Sequence, residues 1–194
     1  MLDRTLDQLV GWDRQGLHLD ASVNLSGRQL TDLALPGLVE TALQRHGVAP
    51  RRLVVELTES QLAADPGRVA VVLGGLRAVG VGLAVDDFGT GHSSLVQLRA
   101  LAVDVLKIDR SFVTDMCRVE DDALIVRSTI DLAHGLGLRV VAEGVEDEPT
   151  RGALAALGCD VVQGFHLCRP LSGDQLLTWA RDRQAHLTDE RAPV

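Results

Sequence analysis

Residues 82–91 read Gly-Leu-Ala-Val-Asp-Asp-Phe-Gly-Thr-Gly. An apolar run without polar alternation, the pattern of a strand covered on both faces, ends here in two adjacent carboxylates, Asp86 and Asp87. Gly89 and Gly91 then permit a sharp surface loop. Neighbouring strand residues point to opposite faces, but where the chain turns both carboxylates can reach one mouth. Side by side they repel unless cations neutralise them. An Asp N-cap followed by a glycine turn is the blander reading of the same residues.

Outward from this stretch the same design recurs. Strands are expected over Leu17–Asn24, Arg52–Leu57, Gly82–Asp86, Val103–Ile108, Leu138–Glu143 and Asp160–Gln163. Between them lie amphipathic segments with helix signals. Pro66–Val79 follows an Asp65 cap, Asp121–His134 stops at Gly135 and Gly137, and Glu148–Leu157 stops at Gly158. Thr5–Gln15 opens the chain, Leu38–Arg45 follows Pro36, and Ser172–Gln184 precedes a polar tail, 185–194. Alternating strand and helix predicts parallel strands with crossovers, in one unit over 1–184.

The polar residues choose between the two parallel architectures. A doubly wound sheet gathers its ligand at one switch point, so only two or three strand ends would carry chemistry. Here Asn24, Glu56, Asp86, Lys107 with Asp109, Glu143 and Gln163 load six strand ends in succession. That distribution predicts a TIM-like (β/α)₈ barrel, whose strand tops all face one mouth. Eight strands and about 250 residues are usual for that fold. Six strands in 194 residues therefore predict an incomplete barrel, short by two strands at its N-terminal side.

Composition narrows the function classes. Asp and Glu total 27 against 19 Lys and Arg, a formal charge of -8, which argues against binding duplex nucleic acid by broad electrostatics. Apolar runs such as Val69–Leu73 fall far short of the roughly 18 residues of a membrane span. The opening Met-Leu-Asp-Arg-Thr lacks the order of a secretory signal. Cys117, Cys159 and Cys168 lack metal-ligand spacing and read as buried thiols in a reducing, cytoplasmic compartment. Of the basic residues a single one is Lys, Lys107, and the rest are Arg. In so Arg-biased a chain this predicts a site that needs a compact ammonium where a guanidinium fork would not serve.

The strand-end set is rich in oxygen and poor in nitrogen and sulfur, which selects Mg²⁺, Mn²⁺ or Ca²⁺ over zinc. Several carboxylates and one Lys around a mouth suit metal-assisted hydrolysis of a phosphate ester. Glu59, three residues past Glu56, is expected to hold a loop or helix start, through hydrogen bonds to the glycine-rich segment. Glu146, three past Glu143, is expected either to add a second carboxylate to the rim or to orient its neighbour.

Taken in order, Val-Asn-Leu-Ser (23–26) with Gln29, Glu-Leu-Thr-Glu-Ser (56–60), Asp-Asp-Phe-Gly-Thr-Gly (86–91) and Leu-Lys-Ile-Asp-Arg-Ser-Phe (106–112) resemble the EAL-domain family. So do Leu-Ala-His-Gly-Leu-Gly (132–137), Val-Val-Ala-Glu-Gly-Val-Glu (140–146), Leu-Gly-Cys-Asp-Val-Val-Gln-Gly-Phe (157–165) and Arg-Pro-Leu (169–171). These are bacterial phosphodiesterases that open cyclic-di-GMP to linear pGpG on a modified (β/α)₈ barrel. The resemblance implies that Asn24, Glu56 and Asp86 bind a first Mg²⁺ or Mn²⁺ and Asp87 a second. It implies that Lys107 touches the attacking water and the phosphate, with Glu143 beside it as general base or metal ligand. Glu146 and Gln163 would line the substrate rim, and Glu59 would pin the Asp86–Ser94 loop, which in the family couples metal binding to homodimerisation.

The sequence also departs from the family. The Glu-Ala-Leu motif that names it, whose Glu is a metal ligand, belongs well upstream of Asn24, and only 23 residues precede Asn24. No Glu occurs before Glu40. Losing even an outer partner of a metal site costs about 10–100-fold in affinity or activity, so impaired hydrolysis is expected. A non-catalytic module that binds cyclic-di-GMP or a protein partner is the alternative. Smaller departures are His92 for a usual Tyr, Phe165-His166, and Asp147 for a common Thr.

Overall fold

The computed structural model describes residues 1–62, 65–90 and 103–189. The chain opens with α1 (Leu2–Asp13), β1 (Ala21–Asn24), α2 (Gly27–Leu30) and α3 (Leu35–His46). A 3₁₀ turn, Pro50–Arg52, leads to β2 (Leu53–Thr58), α4 (Glu59–Leu62), α5 (Pro66–Val79) and β3 (Gly82–Phe88). Then come β4 (Val105–Ile108), α6 (Arg110–Val113), α7 (Glu120–Gly135), β5 (Arg139–Ala142), α8 (Glu148–Ala156), β6 (Val161–Val162) and α9 (Gly173–Asp189). All six expected strands are present. The last helix runs to Asp189, five residues past its expected end at Gln184.

The strands pair in parallel in the order β1-β2-β3-β4-β5-β6, each beside its sequence neighbour. Among the described residues β1 and β6 each have one neighbour, so the sheet is an open half-barrel. Its two faces are chemically distinct. Leu53, Val55, Leu57, Leu83, Val85, Leu106, Ile108, Val140 and Ala142 point outward and are all essentially inaccessible. They share one apolar core with Leu43, Val72, Leu76, Val126, Ile130 and Leu154 from the surrounding helices. Each such Leu, Ile or Val contributes about 1.5–3 kcal/mol by leaving water.

The register brings the other face together. Asn24 stands opposite Glu56, Glu56 opposite Ala84, and Ala84 opposite Val105. Lys107 stands opposite Val141, and Val141 opposite Val161. Because side chains alternate along a strand, Asn24, Glu56, Asp86, Lys107, Glu143 and Gln163 therefore share the concave face at its upper rim. At the foot of the sheet, carboxylates satisfy strand N–H groups. Leu83 N–H donates to Asp104 Oδ2 (2.9 Å) and Val140 N–H to Asp160 Oδ2 (2.8 Å).

One helix start follows its sequence signal: Asp65 accepts from Arg68 N–H with Pro66 at the first helical position. Asp147, given no cap role in the sequence reading, accepts from Thr150 N–H and starts α8. No helix among the described residues is long and apolar enough to cross a membrane.

Candidate metal centre

Lys107 rises from β4 into the middle of the concave rim and is 5% exposed. Its Nζ lies 3.0 Å from Glu56 Oε2, 3.0 Å from Asp86 Oδ1 and 2.6 Å from Glu143 Oε1. An ammonium has three donors, and each meets an acceptor from a different strand or strand end. Burial works against its charge, but the hydrogen bond to Glu143 and the charge of Glu56 more than offset that and hold the ammonium well above its ordinary pKa. Glu143 is pushed up by burial, with Lys107 opposing.

Asp86 and Asp87 owe their placement to a break in the ladder. The β3–β4 register shifts between Val85 and Phe88, so the two Asp sit in a bulge. Asp87 takes φ 53, the sole positive φ outside glycine among the described residues, in a conformation that Asp tolerates better than most side chains. Its N–H donates to Asp86 Oδ1 at 3.0 Å. Burial first, then the charges of Asp86 and Asp109, raise the Asp87 pKa. Carboxylate oxygens of Asp86, Asp87 and Glu143 lie within 4.8 Å of one another. An all-oxygen set this close, with four carboxylates around one ammonium, fits a hard divalent cation.

The remaining expected residues surround this basin. Asn24 is exposed on the free edge strand, in register with Glu56. Glu59, 4% exposed at the start of α4, accepts the Gly89 N–H at 3.2 Å, beneath the loop that follows Asp87. Gly89 has φ +101, and a Cβ there would come within 2.9 Å of the Phe112 ring. Glu146 and Gln163, both exposed, line a cavity of about 190 Å³ beside Glu143, together with Arg110 and Phe165. His92, Ser93 and Ser94 lie outside the described residues.

Two contributors carry no task in the sequence reading. Asp109 comes within hydrogen-bonding reach of Asp87 and also accepts from Ser111 N–H at 2.9 Å, capping α6. Its signal was available, since it lies two residues past Lys107 and so on the same face. Arg110 packs against Gly144, where a Cβ would fall 2.4 Å from Arg110 Cβ. Nothing in the sequence marks that contact, because the partners come from different strand–helix units.

A half-barrel of parallel strands whose tops converge on carboxylates and one ammonium places at its mouth an acidic cluster able to hold a metal ion. The chain belongs to the EAL domain family, whose profile matches residues 1–170. It is 43% identical over 179 residues to the bifunctional diguanylate cyclase/cyclic di-GMP phosphodiesterase MucR of Pseudomonas aeruginosa, covering 91% of this chain and 26% of MucR. It is 34% identical over 181 residues to the cyclic di-GMP phosphodiesterase PA2567 of the same species, covering 93% of this chain and 31% of that protein.

Among solved structures it resembles the PaMucR phosphodiesterase in its c-di-GMP complex, with TM-score 0.86 and 42% identity over 90% of this chain and 71% of that one. The EAL domain of Mycobacterium smegmatis DcpA matches with TM-score 0.87 and 36% identity, over 99% of this chain and 84% of that one. The chain spans about a quarter of the length of the curated relatives it matches.

Proposed function

We propose that this chain carries the site of a cyclic-di-GMP phosphodiesterase, hydrolysing one phosphodiester to give linear pGpG. The observation that carries this reading is the convergence of Glu56, Asp86 and Glu143 on Lys107 Nζ, beside Asp87. Likeness to named c-di-GMP phosphodiesterases supplies the substrate class. Asn24, Glu56 and Asp86 would hold a first Mg²⁺ or Mn²⁺, with Asp87 holding a second. When bound, such ions neutralise charge that builds on the phosphate and its leaving oxygen.

The chain's own groups do the rest. Glu143 accepts a proton from the attacking water, whose oxygen bonds to phosphorus as the P–O bond to the 3′ oxygen breaks, and that oxygen takes up a proton from solvent to leave as the 3′ hydroxyl. Lys107 donates to a phosphate oxygen and steadies the added negative charge. Glu146 and Gln163 contact the substrate from the side cavity, and Glu59 positions the loop carrying Asp87 through Gly89. We further place the protein in a reducing cytoplasm, a reading supported by three cysteines outside any disulfide, of which Cys117 is exposed and Cys159 and Cys168 are half-buried, not buried as expected, and as a homodimer, a reading that rests on the family resemblance.

Asn24, assigned to the first ion, is exposed on β1, which has one strand neighbour among the described residues, so this ligand is held less firmly than the others. That same observation favours the second reading, a module that binds cyclic-di-GMP without hydrolysing it. Incubation of the purified chain with cyclic-di-GMP and Mn²⁺ decides. The first reading expects pGpG that requires Mn²⁺ and vanishes in Lys107→Ala and Glu143→Gln. Binding without pGpG selects the second reading, and neither binding nor product overturns both.

A further inference from the structure

We propose that the Lys107 ammonium is the resident counter-ion of the carboxylate basin, and that divalent cations load by displacing it from Glu56 and Asp86. The inference rests on the reading of this basin as a metal site. All three Nζ donors are spent on carboxylates, at 3.0, 3.0 and 2.6 Å. Glu56 and Asp86 are two of the groups assigned to the first ion. Asp86 Oδ1 is already doubly engaged, accepting from Lys107 Nζ and from Asp87 N–H. An ion taking that oxygen would stand within a few ångströms of the ammonium, and two cations at such range in a water-poor pocket repel strongly. The ammonium therefore yields its longer contacts and keeps the shortest, to Glu143.

This arrangement explains the one Lys in an Arg-biased chain. Three acceptors converging on a point suit a compact ammonium with rotatable donors, whereas a planar guanidinium fork serves two acceptors in its own plane. It also makes Lys107 a device that couples two events. Without ions its charge is fully spent on the protein. Once ions hold Glu56 and Asp86, one or two donors are freed towards an anionic phosphate, so the residue presents itself to substrate only in a loaded site.

Because the chain has one Lys, labelling with ¹⁵N-lysine gives one side-chain ammonium signal besides the backbone. The test titrates Mg²⁺ into the labelled full chain, following that signal by NMR and binding by calorimetry. The expected result is a sharp Lys107 Nζ signal with slowly exchanging protons before Mg²⁺, then a shift and faster exchange at the stoichiometry of binding. Mg²⁺ binding that leaves the Nζ signal unmoved overturns the proposal while the metal site stands. Absence of Mg²⁺ binding overturns the metal reading and the proposal with it. Lys107→Met supplies an independent check, because removing a competing charge should tighten Mn²⁺ binding by about tenfold or more; weakened binding in that variant also overturns the proposal.

Discussion

Glu143 Oε1 stands 2.6 Å from Lys107 Nζ across the β4–β5 step, the shortest of three contacts that tie separate strand tops to one ammonium. The arrangement is unequal, since one cation serves three carboxylates. Lys107→Ala leaves those carboxylates buried together and should cost about 3–5 kcal/mol of folding stability. Glu143→Gln removes one negative charge and keeps a hydrogen-bond acceptor, so it should cost about 1 kcal/mol or less. Urea unfolding of the two metal-free variants measures the difference, and equal losses would refute the single-cation account.

Gly164 and Gly158 should respond to the same substitution with losses of different size. A Cβ on Gly164 would fall 2.0 Å from the Val145 carbonyl oxygen and 2.4 Å from its nitrogen, all rigid backbone. Gly158 has φ +79 with nothing within 4 Å of a Cβ. Gly158→Ala should cost only the left-handed backbone penalty, about 1–2 kcal/mol. Gly164→Ala should cost more than about 3 kcal/mol, because the β5–α8 loop and the Gln163 turn must move apart. Thermal melts of both variants check this ranking.

Glu59 should matter twice. Its buried carboxylate accepts from Gly89 N–H at 3.2 Å, so Glu59→Ala should lose about 1–3 kcal/mol of stability. It should also weaken Mn²⁺ binding, although Glu59 is assigned no ion, because Asp87 lies two residues before Gly89. Calorimetric Mn²⁺ titration of the variant at a temperature where it is folded separates the two effects.

Asp160 gives a pH dependence. The Val140 N–H and then His134 hold its carboxylate below the ordinary value. A depressed folded pKa contributes stability that is present above the unfolded value and lost as pH falls through the folded one. Asp160→Ala should therefore be less stable than the parent by about 1 kcal/mol at pH 7. The gap should close below about pH 4, near the unfolded Asp value. Urea midpoints across pH 3–7 would show it; a gap that widens in acid would contradict the assignment.

Much of this molecule was legible in its sequence because the signals are local. Unbroken apolar runs mark strands buried on one face and half-covered on the other, and each ends in the polar residue that meets its neighbours at the rim. The cap at Asp65 and the glycine stops are equally short-range. What could not be read depends on partners distant in sequence. The bulge that turns Asp86 and Asp87 together exists only against β4. The close approaches of Gly89 to Phe112, Gly144 to Arg110 and Gly164 to Val145 join separate strand–helix units. The continuation of α9 past Gln184 has no local mark, because 185–189, Ala-His-Leu-Thr-Asp, holds no sustained apolar stripe. Asp109 is the instructive case, since its position two residues past Lys107 placed it on the correct face, but only the fold sets it against Asp87.

The central claim, that these strand tops form one basin able to hold divalent ions, is tested most directly by anomalous diffraction from crystals of the chain grown in Mn²⁺. The account predicts an anomalous peak within bonding distance of the Asp86 carboxylate, with Glu56 or Asp87 as a second ligand. Ordered Mn²⁺ found only at other carboxylates, with the Lys107 ammonium still seated on Glu56, Asp86 and Glu143, would contradict it.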